Sequence, residues 1–212
     1  MGPTRTAIAA ALIGAAAAIA ALTPALAQQA SSQAAQTTRL RGVIDKVEGS
    51  AVLAKSGKGE ELKLKLADKA LVVAVVKASM ADIRPGLFIG SGAMPQPDGS
   101  QQAIEVHIFA ESMRGTGEGH RPWDGAPNST MTNGTVGASV SGVDGPIVTV
   151  QYKDGEKKII VGSDVPIVRY EIADTGAIAP GAPFTAVATG KAADGSFDVT
   201  RINVGRGGAS PP

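Results

Sequence analysis

The chain contains two histidines, His107 and His120, and acidic side chains cluster around them. Glu111, Glu118 and Asp124 all fall in the same short stretch. Imidazole nitrogen and carboxylate oxygen together suit Zn²⁺, Cu²⁺ or Ni²⁺ in mixed N/O geometry. His107, His120, Glu111, Glu118 and Asp124 are therefore the candidate metal ligands, and a divalent metal ion is the candidate cofactor. The gap between the histidines matches no recognised ligand spacing, and a solvated polar strand face would also account for His107. Cysteine is absent, which excludes thiolate metal sites, thiol nucleophiles and disulfides.

Other chemistries leave little trace. "GASVSG" at 137–142 lacks the spacing of a serine nucleophile elbow. "GTGEG" at 115–119 runs into His120, Arg121 and Pro122 instead of a helix, and it lacks the lysine and hydroxyl of a phosphate-binding loop. Paired carboxylates need no motif, so an envelope hydrolase stands as the alternative to a non-catalytic binding or accessory protein. Nucleic-acid binding would need aromatic platforms with a basic groove. The seven aromatics are scattered and no Lys/Arg cluster accompanies them. The expected partner is a small ligand, a metal ion or another envelope protein, and not nucleic acid.

These residues must be positioned by their surroundings. "MRGTGEGHRPWD" at 113–124 lies in a connector, 110–133, that has no periodicity and exceeds the ~12–15 residues usual for structureless loops. Met113, Pro122, Trp123, Pro127 and Met131 give it apolar anchors, and Arg114 and Arg121 have Glu111, Glu118 and Asp124 nearby. The composition predicts an ordered interdomain clasp built on Met113, Arg114, Arg121 and Trp123. Such a clasp could also roof a pocket between two domains.

On either side of the connector one pattern occurs twice. Leu62, Leu64 and Leu66 alternate with Lys63 and Lys65, the period of a half-buried strand. "MADIRPG" is matched by "TGAIAPG", and "DGSQQAIEVHI" by "DGSFDVTRINV", pairing Glu105 with Arg201 and His107 with Asn203. The turns predict an all-β chain of two tandem small OB-like Greek-key barrels, 39–109 and 134–204, with a β-sandwich as the alternative. Residues 28–38 read as a disordered leader and 205–212 as a disordered tail.

Residues 1–27 fit a secretion signal: Arg5, an alanine-rich apolar run, and "ALA" before Gln28. The run is too short and too weakly apolar for a membrane span. Removing it leaves 19 basic and 19 acidic residues and no integral membrane segment, which predicts a periplasmic or secreted protein.

The strand start at Gly42–Ile44, the "DIRPG" turn at Asp82–Gly86 and the closing hairpin from Asp98 to Val106 carry a resemblance. With "MRGTGEGHRPWD" and "STMTNGTV" between the two units, the chain resembles a family of secreted bacterial proteins. These have tandem small OB-like β-barrel domains of unknown function and are often labelled metal ABC transporter permease. A permease needs several spanning helices, so that label does not fit this chain. The resemblance implies fold and location and brings no established catalytic residues.

Overall fold

The alternation of leucine and lysine at 62–66 is realised as a strand whose leucines are buried and whose lysines are exposed. In this computed structural model, which describes residues 37–140, 142 and 145–212, that strand does not stop where the alternation ends. It continues through the apolar run Leu71–Val76 to form one 18-residue strand, β3 (Glu61–Ala78), roughly 60 Å long at the usual strand rise. Neither glycine nor proline interrupts it. The expected secretion signal and most of the expected leader lie outside the described residues. Thr38, the last residue of that leader, already belongs to β1 (Thr38–Glu48).

The other strands are β2 (Ala51–Ser56), β4 (Phe88–Pro95), β5 (Gln101–Ile108), β6 (Gly119–Pro122), β7 (Thr130–Val140) and β8 (Ile147–Tyr152). They are followed by β9 (Gly155–Ile160), β10 (Ile167–Ala173), β11 (Pro183–Lys191) and β12 (Phe197–Gly205). The fold is all-β, with short 3₁₀ turns at Met80–Asp82, Glu111–Met113 and Thr175–Ala177. Among the described residues no helix is long and apolar enough to cross a membrane.

The turns repeat in geometry as well as in sequence. Asp98 Oδ1 accepts from the Ser100 amide at 2.9 Å, and Asp194 Oδ1 from the Ser196 amide at 3.0 Å. The intervening Gly99 and Gly195 take φ of 84° and 81°, which a side chain would strain.

Strands β12, β11, β1, β2 and β3 pair in that order, and β12 returns parallel to β3, closing a five-stranded barrel. Strands β5, β4, β7, β8 and β9 form a second ring, joined between β5 and β9 over Gln101↔Ile159 and Gln102↔Ile160 only. Strand β10 links the two, antiparallel to β3 and parallel to β5.

The strands therefore do not divide as the segments 39–109 and 134–204 predict. The barrel takes β1–β3 from the first segment and β11–β12 from the second, and the other ring takes β4–β5 from the first and β7–β9 from the second. The reason lies in where each Pro-Gly turn docks. β3 runs straight on to β10, so the Gly86 amide meets Val136 O on β7 at 2.8 Å. The matching Gly181 amide meets Ile44 O on β1, also at 2.8 Å.

Antiparallel pairing of β3 with β10 places Val75 opposite Tyr170. Superposing the Pro85-Gly86 turn on Pro180-Gly181 also puts Val75 on Tyr170. Each half thus meets its own counterpart, and an approximate two-fold axis passes through that pair.

Three apolar clusters hold the fold. One fills the barrel around Leu64, Phe184 and Ile202, and one fills the second ring around Ile89, Val150 and Ile159. The third, at the junction, includes Val75, Phe88, Phe109, Met113 and Tyr170. The expected disordered tail is ordered. The Arg206 amide donates to Val75 O at 2.9 Å, and Ala209 is buried in the junction cluster. Gly205 permits this, because a Cβ there would lie 2.0 Å from Ala209 O.

Candidate functional site

Alternation on two strands of the barrel aims a set of cations at one place. Arg39 and Arg41 lie on β1, and Arg201 lies on β12. Together with Arg121 from β6 they line a cavity of about 370 Å³ between the barrel and the second ring. The opposite wall brings Glu105 and His107 from β5, Trp123 and Asp124 from the connector, and Met131 from β7. Phe109 and Tyr170 contribute the apolar surface.

The cations are held apart by different partners. Arg39 Nη1 lies 3.3 Å from Asp124 Oδ1 across the cleft, an exposed pair. Arg121 donates to Gly117 O. Arg201 Nε donates to Asn203 Oδ1 at 2.9 Å, and its guanidinium lies 5.7 Å from the Tyr170 ring centroid. Burial lowers the Arg201 pKa; Tyr170 opposes that shift and the Arg39 charge adds to it. Burial and then Arg39 lower the Arg121 pKa in the same way. Mutual repulsion and desolvation make this an environment that an anion would relieve.

The acid and imidazole opposite are buried. His107, a candidate metal ligand whose polarity a solvated strand face would also explain, is 5% exposed, and Phe109 is 6% exposed. The Tyr170 side chain from β10 lies against that face. The His107 ring stacks on Tyr170 with centroids 4.9 Å apart and meets Phe109 edge-on at 4.8 Å. Burial first, and then the Glu105 charge, pushes the Tyr170 hydroxyl pKa up.

Gly90 makes room for this arrangement. A Cβ there would lie 2.1 Å from His107 Nε2 and 2.6 Å from Asn133 Oδ1. His107 Nδ1 is 3.7 Å from Glu105 Oε1, too far for a hydrogen bond. Both atoms are buried without a hydrogen-bond partner. Each such group costs about 1–3 kcal/mol until something satisfies it.

The five candidate metal ligands do not meet. Glu111 is held by both Nε and Nη2 of Arg114, the hydrogen bonds of which lower its carboxyl pKa. Glu118 and His120 line a separate recess with Tyr152 and Lys157. There His120 Nδ1 lies 2.8 Å from Thr132 Oγ1, and Glu118 Oε1 accepts from the Lys153 amide at 3.0 Å. Only His107 and Asp124 reach the cleft. Among the described residues no three His, Asp or Glu side chains converge on a metal-sized space. The five residues are near one another along the chain, but β6 pairs with β7 and carries His120 away from β5.

The connector is ordered by specific contacts. Met113 is buried in the junction cluster. Arg114 Nη2 donates to Gly86 O at 2.9 Å and Nη1 to Thr135 Oγ1 at 3.2 Å. Trp123 packs on bare backbone, since a Cβ at Gly92 would lie 2.4 Å from its Cζ3. Arg114 pairs with Glu111 as its proximity suggested, while Arg121 takes a backbone carbonyl instead of an acid.

Sequence reasoning missed Arg39, Arg41, Arg201 and Tyr170. One signal was present: the repeat alignment exchanges Glu105 for Arg201, a charge reversal at a duplicated position. No protein-family model, curated protein or solved structure matches the chain.

Proposed function

We propose that this protein is a non-catalytic binding protein and that the cleft between its two rings holds a small organic anion. The observation that carries the reading is the convergence of Arg39, Arg41, Arg121 and Arg201 on one cavity. Of these four, only Arg39 has an ion-pair partner among the described residues. Guanidinium groups bind carboxylate and phosphate through paired, charge-assisted hydrogen bonds. The cavity, at about 370 Å³, falls within the ~300–1,000 Å³ of small-molecule sites. The same proposal takes each five-stranded ring as an OB-like barrel and the connector as the clasp that sets their relative orientation. The signal-like residues 1–27 and the family resemblance support action in the periplasm or outside the cell.

The unpartnered Glu105 Oε1 favours one second reading, in which the carboxylate acts as the general base of an envelope hydrolase. One experiment separates the two. Trp123 is the chain's sole tryptophan and lines the cleft, so its fluorescence reports occupancy. Titration with a panel of carboxylates and phosphate monoesters should give saturable binding that weakens at least tenfold in Arg201→Ala. Equal binding by that variant, or no binding by any compound, would overturn the anion reading. Release of product from a bound ester would establish the hydrolase.

A further inference from the structure

The two walls of the cleft occupy matched places about the two-fold axis and carry opposite chemistry. Across the barrel, one cross-strand row reads Arg39, Val187, Arg201, and the next reads Arg41, Thr185, Asn203. Across the second ring the corresponding rows read Met131, Gly92, Glu105 and Asn133, Gly90, His107. About the two-fold axis each arginine of the first wall thus corresponds to a residue without positive charge: Arg39 to Met131, Arg41 to Asn133, and Arg201 to Glu105.

The opposed charges do not neutralise each other. Glu105 and Arg201 form no ion pair, and Arg201 spends its Nε proton on Asn203. Glu105 Oε1 and His107 Nδ1 stay unpartnered, with the His107 side chain 6% exposed and the Glu105 side chain 13% exposed. A separation of 3.7 Å suits a single donor bridging both atoms. Next to an acid, a donor that also carries positive charge gains most, because the hydrogen bond is then charge-assisted.

We infer that the ligand is a zwitterion. Its anionic group binds Arg39, Arg41 and Arg201 on the barrel wall, and its ammonium bridges Glu105 Oε1 and His107 Nδ1 on the opposite wall. This inference rests on the anion reading above and narrows it. Trp123 and Tyr170 line the space between the two ends and accommodate the intervening carbon skeleton.

The test uses the full chain and matched probes: glycine, β-alanine, 4-aminobutyrate, 6-aminohexanoate and the common L-α-amino acids, each beside its des-amino carboxylate. Isothermal titration should show at least one zwitterion binding tenfold or more tighter than its des-amino partner. Glu105→Gln, nearly isosteric and checked for native circular dichroism, should abolish that preference, so that each zwitterion and its des-amino partner bind with equal affinity. Arg201→Gln should weaken both members of the pair. Equal affinity for zwitterion and carboxylate would overturn the zwitterion assignment and leave the anion reading standing. Binding by neither series would overturn both.

Discussion

Gly90 is where packing and the candidate site meet in one residue. Strand β4 passes so close to β5 and β7 there that a methyl group would strike both the His107 ring and the Asn133 amide oxygen. Neither has room to retreat, since His107 is stacked on Tyr170 and Asn133 Nδ2 is tied to Thr116 O at 2.9 Å. Gly90→Ala is therefore expected to destabilise the protein by about 1–3 kcal/mol, the usual cost of overpacking. It should also displace the imidazole from Glu105. Urea denaturation measures the first effect, and ligand titration followed by Trp123 fluorescence measures the second. Unchanged stability would show that β4 can move away, so the tight approach is not a constraint. The exposed Arg39–Asp124 pair, by contrast, contributes at most about 1 kcal/mol, so the burial of Met113 in the junction cluster does more to hold the connector.

At the scale of elements, the Asp-Gly-Ser hairpin turns couple stability to pH. Hydrogen bonds from Ser100 hold the Asp98 carboxyl pKa below its ordinary value. Those from Ser196, helped by Lys63, depress the pKa of Asp194 further. A carboxyl with a lower pKa folded than unfolded stabilises the fold above the unfolded value near 4, and this is lost as pH falls below it. The thermal midpoint should therefore drop between pH 5 and pH 2. A variant with Asp98→Ala and Asp194→Ala should melt lower at pH 7 and lose less on acidification. Parallel acid profiles for wild type and variant, read by circular dichroism, would show that the turns are not the titrating elements. The turn chemistry was legible in the sequence, as was the alternation of Leu62, Leu64 and Leu66, because both depend on neighbours a few residues away.

For the whole molecule, the exchange of hairpins makes the halves interdependent. The barrel needs β11 and β12 to cover Ile44 and Leu64, and the second ring needs β4 and β5 to cover Val150 and Ile159. A fragment of residues 37–109 and one of 110–212 should each lack cooperative melting alone. Mixed, they should regain a single transition and the β-sheet circular dichroism of the full chain. Two fragments that fold separately would contradict the interlocked pairing and favour barrels contiguous in sequence.

From its residues alone the chain specified an all-β fold, the positions of its turns, an internal repeat and a connector too rich in apolar anchors to be free. These follow from local periodicity and backbone preference. Tertiary structure decided which hairpin completes which ring, because two similar hairpins compete for the same edges, and the pairing of β4 with β7 and of β11 with β1 places each one. It also decided the burial of His107, since Tyr170 on β10, remote in sequence, stacks on its ring. The cleft is the furthest from legible. Arg39, Glu105 and Arg201 are distant along the chain, and the approximate two-fold packing of the halves brings their strands to a common space.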